Sequence, residues 1–201
     1  RIQLGISSNE FTYGIATDSN NNVYITGSTE GDFGGTNPGT PTQYGTKPED
    51  AFVVKFDTDG TEVWRKQVGS TSNDFSRGIA IDSNDNVYIT GYTQGNLHGE
   101  NQGGNDIFLV KFDSDGDVVS KTQIGTSGTD NSNYIAIGSN DSVYITGYTG
   151  GDLGGTTQGG NDIYMACLLY TSDAADDSLR VDLGGRRIIK KVEFRVWGLL
   201  R

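Results

Sequence analysis

One sequence motif occurs in three copies, as GIATDSNNNVYITGST at 14–29, GIAIDSNDNVYITGYT at 78–93 and YIAIGSNDSVYITGYT at 134–149. A second motif follows each of the first two copies, as DAFVVKFDTDGTEVWRKQVG at 50–69 and DIFLVKFDSDGDVVSKTQIG at 106–125. Repetition at this period is typical of a repeat architecture. The loop 29–50 is eight residues longer than its counterpart 93–106, and this accounts for the unequal spacing of the copies. An insertion tolerated there marks a surface loop.

Each copy predicts four short strands. In the second copy these are GIAID, VYITGYT, DIFLVKFD and DVVSKTQIG, with alternating β-branched and aromatic residues. Asn, Asp and Ser separate the first two strands, and Asp115-Gly116 suits a tight hairpin before the fourth. Four antiparallel strands per repeat describe one blade of a β-propeller. The predicted fold is therefore all-β, a partial β-propeller of four-stranded blades that forms an arc of a larger ring.

The repeat also predicts the domain boundaries. Residues 1–5 match 65–69, so residues 1–13 are expected to hold the last strand and linker of a missing blade. Complete blades are expected at 14–69 and 78–125, and a blade at 134–166 is truncated because the repeat stops after Ala166. Residues 167–201 form a separate tail.

The two motifs together resemble the SBBP family of bacterial β-propeller repeats. The resemblance rests on GIAIDSNDNVYITGYT followed by GGNDIFLVKFDSDG, and it covers residues 1–166. The first motif alone is also similar to NHL-type propellers. The resemblance implies a propeller module of a bacterial protein.

The tail differs from the repeats in composition. It carries 7 Lys and Arg against 5 Asp and Glu, whereas residues 1–166 carry 8 against 21. The string LYTSDAADDSLRVDLGGRRIIKK resembles translated sequencing-adapter read-through of the kind found in assembled metagenomic proteins. The tail is predicted to be either such a non-native addition or a terminal cap, and in the first case Cys167 carries no redox information.

Net charge limits the partners that the sequence favours. The chain carries a formal charge of −11, which argues against nucleic acid and against a basic patch for anionic lipid. No apolar run reaches the roughly 20 residues of a membrane-spanning helix. Protein or carbohydrate partners are expected.

The sequence offers no complete catalytic set. Its one histidine, His98, aligns with Gly34 and Gly154 of the other copies and is interpreted as a loop substitution. The acidic turns are calcium candidates, because oxygen ligands alternate along calcium-binding loops, but neither has the terminal Glu of a twelve-residue loop. The alternative for them is a plain hairpin turn. These candidates are Asp57, Asp59, Asp113, Asp115 and Asp117.

The long loops at 28–50, 92–106 and 148–162 are expected at one end of every blade. Each places an apolar residue between glycines, predicted to attach the loop to the blade: Phe33, Leu97 and Leu153. The Asp before each third strand either orders its loop by accepting backbone N–H bonds or binds a ligand. The candidate ligand-binding residues of this loop face are Asp32, Asn96, Asp152, Asp50, Asp106 and Asp162.

The favoured function is a non-catalytic module of a secreted or cell-surface bacterial protein. It would bind protein or glycan through its loops or act as a scaffold. The alternative is a propeller enzyme, a hydrolase or lyase, with its catalytic residues on missing blades.

Overall fold

The computed structural model describes residues 1–40, 47–169 and 193–196. They contain strands alone, and no helix long and apolar enough to cross a membrane is found among them. The strands are β1 (Glu10–Thr17), β2 (Val23–Thr29), β3 (Asp50–Phe56), β4 (Glu62–Val68), β5 (Asp74–Ile81), β6 (Val87–Thr93), β7 (Asp106–Phe112), β8 (Val118–Ile124), β9 (Asp130–Ile137), β10 (Val143–Thr149), β11 (Asp162–Leu169) and β12 (Glu193–Val196).

The strands form three antiparallel sheets in sequential order, β1 to β4, β5 to β8 and β9 to β12. These sheets are called blades 1, 2 and 3. The first strands of neighbouring blades, β1, β5 and β9, pack beside one another, as strands around a propeller axis do. The prediction of an all-β partial propeller is confirmed. The β2–β3 loops leave each blade at one end, the loop face, and the β1–β2 and β3–β4 turns lie at the other, the turn face.

The first strand of each blade begins four residues earlier than the sequence indicated, at Glu10, Asp74 and Asp130. Register with the second strand shifts around Tyr13, Arg77 and Asn133, so each first strand carries one extra residue there. Such a bulge breaks the period-two alternation that marks a strand in sequence. The polar residues before the bulge therefore did not show the sequence pattern of a strand.

The glycine of VYITG is required by this bulge. A Cβ built on Gly91 would lie 1.8 Å from the carbonyl oxygen of Phe75, and Gly27 and Gly147 are crowded in the same way. No side chain fits so close to a backbone oxygen. The third copy thus keeps its glycine although its first strand differs in sequence.

Most of the apolar core lies between blades. One cluster joins Tyr24, Val53 and Val68 of blade 1 to Ile89 and Phe108 of blade 2. A second cluster joins blades 2 and 3 through Tyr88, Ile107 and Leu109 on one side and side chains such as Ile145 and Leu168 on the other. Each blade therefore buries one face on the blade before it and the other on the blade after it, where such a blade is present.

A polar latch links neighbouring blades at the turn face. Ser19 donates to Asp85 of blade 2 from its backbone N–H at 3.0 Å and from Oγ at 2.9 Å. Ser83 donates in the same way to Asp141 of blade 3, at 3.0 and 2.6 Å. Asp85 and Asp141 have positive φ values of 60° and 59°, which aims each turn at the serine of the blade before it.

The boundary expected after Ala166 is not a structural boundary. Strand β11 continues to Leu169, and its last residues, Ala166–Leu169, pair with β12. Leu168 stands where blade 2 has Phe112, and both are fully buried. An aliphatic residue at this point satisfies the same core position, so the strand continues through the change in sequence. The origin of residues 167–201 stays a prediction, and 170–192 and 197–201 lie outside the described residues.

Candidate functional site

One glutamine of the fourth strand holds the long loop of blade 1. Gln67 Oε1 accepts the backbone N–H groups of Phe33 and Gly34 at 2.7 and 3.1 Å. Its Nε2 donates to the Gly31 carbonyl at 2.9 Å and to Asp50 Oδ2 at 2.8 Å. A single side chain therefore joins the fourth strand, the loop and the start of the third strand.

Blade 2 repeats this arrangement with Gln123. Its Oε1 accepts the N–H groups of Leu97 and His98, both at 2.9 Å, and its Nε2 donates to the Gly95 carbonyl and to Asp106 Oδ2, both at 3.0 Å. The side chain of His98 is exposed, in keeping with a loop substitution. Sequence analysis missed both glutamines, because a polar residue on an outer strand looks like a solvated position.

Asp50 and Asp106 are fully buried behind these loops. Burial raises the pKa of Asp50 to about 7; the bond from Gln67 opposes the rise, and the neighbouring charge of Asp74 adds to it. Asp106 also accepts the N–H of Gln102 at 3.0 Å, which is the loop-ordering alternative of the sequence analysis. The protein's own donors thus engage Oδ2 of each side chain, whereas Oδ1 of each is buried without a hydrogen-bond partner.

Asp162, the third member of this set, is only partly buried. Its Oδ2 accepts the N–H of Gln158 at 2.7 Å and the hydroxyl of Thr157 at 3.0 Å. It therefore orders its loop from the same position as Asp106. Within the described residues no glutamine side chain donates to Asp162, in contrast to Asp50 and Asp106.

The other three candidates are exposed and shape the loop tips. Each uses Oδ1 to accept a backbone N–H five residues further on, a closure typical of Asp and Asn in turns. The second polar atom of each of these side chains, Oδ2 of an aspartate or Nδ2 of the asparagine, stays at the surface. The pairs are Asp32 with Asn37 at 2.9 Å, Asn96 with Asn101 at 2.9 Å and Asp152 with Thr157 at 2.7 Å.

The predicted apolar anchors of the loops are confirmed. Phe33 is buried against Phe52, Val54 and Phe56 of its own blade, and its ring meets Phe52 edge-on at 4.9 Å. Leu97 and Leu153 pack on the two inter-blade clusters. The loop face therefore has a fixed base, and the side chains that differ between copies lie above it.

A polar cleft opens on the loop face between blades 1 and 2. It encloses about 470 Å³ and is lined by Pro38, the linker 69–72 and residues 94–96. Asn73 fixes its floor, donating to Gln94 Oε1 at 3.1 Å and accepting the Glu49 N–H at 2.9 Å. Among the candidates, Asn96 is the one that borders this cleft.

The bulges bring a cation and three aromatic rings together near the loop face. The Arg77 guanidinium lies 4.0 Å from the centroid of Tyr13 and within 6 Å of Phe75 and Tyr92, to whose hydroxyl it donates at 3.2 Å. The bulge re-aims residues 13 and 77 out of the sheet plane, as bulges beside binding sites do. Sequence analysis missed this cluster because it began the strand after these residues.

The architecture and the loop geometry agree with a sequence comparison. A family model described as a beta-propeller repeat, SBBP, matches residues 1–34 and 63–98. Two stretches of the chain therefore match SBBP beta-propeller repeats. The matched stretches hold the latch serines, the bulges and the start of two loops.

The SBBP repeats are also similar to an uncharacterized WD repeat-containing protein of Acanthamoeba polyphaga mimivirus. The two are 26% identical over 170 residues, which is 68% of this chain and 12% of the viral protein. The chain thus spans about an eighth of the relative's length.

In blades 1 and 2 the first Asp of each acidic β3–β4 turn closes the turn. Asp57 Oδ1 accepts the N–H groups of Asp59 and Thr61 at 3.0 and 2.7 Å, and Asp113 does the same for Asp115 and Asp117. Gly60 and Gly116 have φ values of 82° and 83°, as the hairpin interpretation requires. No group of three or more His, Cys, Asp or Glu able to hold a metal occurs in the described ranges. Calcium binding stays a prediction.

A buried ion pair lies at the turn end of blade 1, and an equivalent pair lies at the turn end of blade 2. Asp18 accepts the Tyr24 hydroxyl at 2.9 Å and lies 3.7 Å from Lys55 Nζ. Burial alone would raise the pKa of Asp18, but hydrogen bonds led by those from Asn22 hold it below its ordinary value. Asp82, Tyr88 and Lys111 form the same group in blade 2. The lysine of each VKF segment is therefore paired with an aspartate of its own blade.

Proposed function

We propose that these SBBP repeats form a non-catalytic binding module of a secreted or cell-surface bacterial protein, with the loop face as the binding surface. The supporting observation is the repeated glutamine anchor. The bonds of Gln67 and Gln123 fix the loops at equal positions, while the side chains above them differ from blade to blade. A fixed frame with variable tips suits recognition, because little conformational entropy is lost on binding.

A glycan is the partner that best fits the cleft between blades 1 and 2. Its lining consists of Gly, Ser, Thr, Gln and Asn with one Pro, and it holds no charged side chain. Neutral hydroxyl and amide groups match the hydroxyls of a sugar. The ring of Phe11 on β1, which is 45% exposed, offers a stacking surface on the same blade.

The bulk composition supports an extracellular setting. Residues 1–166 contain no cysteine and carry an excess of acidic side chains, which keeps an exposed repeat soluble. The only histidine, His98, contributes its backbone N–H to the loop anchor, and the proposal gives it no catalytic role.

Glycan-array binding of the full chain tests this function. We expect binding to one class of polysaccharide and its loss, by at least about tenfold in affinity, in a Thr71→Trp variant whose indole fills the cleft. Thr58→Trp is the matched control, since Thr58 is an equally exposed threonine on the turn face.

Equal effects of Thr71→Trp and Thr58→Trp would exclude the cleft as the site. A chain that binds no glycan but captures a defined protein through the loop face would replace the glycan by a protein partner. Turnover of a bound polysaccharide would favour the enzyme alternative instead.

A further inference from the structure

Arg77 is a cation with unused hydrogen-bond donors. A guanidinium carries five N–H groups in a planar fork. In Arg77 one of them donates to the hydroxyl of Tyr92 at 3.2 Å, and the side chain makes no other hydrogen bond and no ion pair among the described residues. The side chain is half-buried, so water reaches only part of it. Such a group is suited to receive an anion from outside the chain.

Aromatic contacts hold this guanidinium in place. Its Cζ lies 4.0 Å from the ring centroid of Tyr13 on β1, and 5.7 and 5.6 Å from those of Phe75 and Tyr92. The rings of Phe75 and Tyr92 also pack against each other, with their centroids 4.9 Å apart. Ring faces attract a cation and shield one side of it from water. The fork is therefore positioned before a ligand arrives, which reduces the entropy lost on binding.

The neighbouring blades place no acidic side chain against Arg77 in the described part of the chain. Strand β5 lies between β1 and β9, whose bulge positions hold Tyr13 and Asn133. Asp74 is close in sequence, but it is fully buried, and its Oδ2 accepts the backbone N–H and the hydroxyl of Ser70 at 2.6 and 2.9 Å. The charge of Arg77 is therefore available to a ligand on both sides of its own blade.

This cluster adjoins the cleft between blades 1 and 2. Phe75 and Tyr92 are partners in the register of β5 and β6. Two residues further toward the loop face lie Asn73 and Gln94, whose side-chain hydrogen bond is the floor of the cleft. Two residues along a strand span about 7 Å. One extended ligand can therefore occupy the cleft and reach the guanidinium.

We propose that the ligand of the cleft is an acidic polysaccharide and that Arg77 binds the carboxylate of one of its uronic acid residues. A carboxylate accepts two parallel N–H bonds from the fork, a geometry that a neutral hydroxyl does not match. The Ser, Thr, Gln and Asn side chains of the cleft then contact the hydroxyls of the adjoining sugar. This inference rests on the proposed glycan binding, and it adds the charge of the sugar and the residue that recognises it.

The overall charge of the chain makes this contact selective. At a formal charge of −11 the protein repels polyanions in general. A uronate therefore binds through a local cation and not through the general field of the protein. Removal of that one cation should remove the preference for a charged sugar.

Calorimetric titration of the full chain tests this inference. The probes are trisaccharides of galacturonate, mannuronate and glucuronate, each beside its neutral methyl ester. We expect at least one acid to bind about tenfold more tightly than its ester, since a hydrogen bond to a charged group exceeds one to a neutral group. Arg77→Gln should abolish this preference and leave the affinity for the ester unchanged, which also shows that the variant is folded. Lys66→Gln is the matched control, because it removes the same charge from the outer strand β4.

Equal affinity of every acid and its ester overturns the inference, as does an equal loss in Arg77→Gln and Lys66→Gln. A loss of ester binding in Arg77→Gln as large as the loss of acid binding assigns Arg77 a structural role and overturns it too. In these cases the proposed function still holds if Thr71→Trp abolishes binding of the neutral esters. If neither acid nor ester binds, the proposed function fails together with the inference. A poly-glutamate peptide that binds through Arg77 more tightly than any uronate would assign the carboxylate to a protein partner and overturn the inference.

Discussion

Blades 1 and 3 carry the same VYITG strand but differ in what lies behind its tyrosine. In blade 1, Asp18 and Lys55 enclose Tyr24, which is fully buried. In blade 3 the corresponding residues are Gly138, Cys167 and Tyr144, and this tyrosine is 36% exposed. Acid and base are absent together, so blade 3 buries neither charge without its partner. A buried pair is costly to break by removing one member and tolerable to remove entirely, and blade 3 is an example of complete removal.

Breaking the pair on one side should have the largest effect. Asp18→Ala leaves the Lys55 ammonium buried without its carboxylate, and we expect the free energy of unfolding to fall by about 4 kcal/mol. The double variant Asp18→Gly with Lys55→Cys copies blade 3 and should lose clearly less. Urea denaturation of wild type, single and double variants measures both. If the double variant loses as much as Asp18→Ala, the difference between the blades has another cause.

A smaller, pH-dependent effect is expected at Asp50, the buried counterpart of Asp162 in blade 3. Because burial raises the pKa of Asp50 to about 7, the folded protein holds its proton more tightly than the unfolded chain. The contribution of Asp50 to stability is therefore greatest below about pH 4 and is lost as the pH rises toward 7.

Asp50→Asn stays neutral throughout and still accepts the bond from Gln67. We expect its stability relative to wild type to improve by about 2 kcal/mol between pH 4 and pH 7.5, as followed by chemical denaturation. Asp162→Asn, made where solvent reaches the side chain, is the control. A constant difference between Asp50→Asn and wild type across that range would contradict the prediction.

The smallest expected effect is the difference in stability between removing the hydroxyl of Tyr24 and removing that of Tyr144. Tyr24→Phe removes a buried hydroxyl that donates to Asp18 at 2.9 Å and should cost about 1 kcal/mol. In blade 3, Tyr144 lies against Gly138 instead of a carboxylate. Tyr144→Phe should therefore leave the free energy of unfolding nearly unchanged. Thermal unfolding of the two variants gives the comparison, and equal losses would show that the hydroxyl contributes without the acid.

The sequence predicted the features that depend on local pattern. Alternating apolar residues indicated the strands, and the repeat indicated blades. The apolar residue between glycines in each loop was correctly interpreted as an anchor, as the packing of Phe33, Leu97 and Leu153 shows.

The missed features depend on contacts between segments far apart in the chain. Gln67 reaches a loop more than thirty residues upstream, and nothing in its own neighbourhood distinguishes it from a solvated residue. Tyr13 and Arg77 lie on bulges, where the alternation that reveals a strand is interrupted. The candidate ligand residues were identified by position alone, which could not separate the buried Asp50 from the exposed Asp32.

The serine-to-aspartate latch has a consequence for how such a chain can change in length. In blade 2 the serine that donates to the blade after it, Ser83, and the aspartate that accepts from the blade before it, Asp85, lie in one turn, so each whole repeat carries one donor half and one acceptor half of the joint. Duplication or loss of a complete repeat therefore leaves all joints matched. The turn chemistry therefore favours evolution by whole-blade steps, with the ring size set by gene rearrangement and each junction reused unchanged.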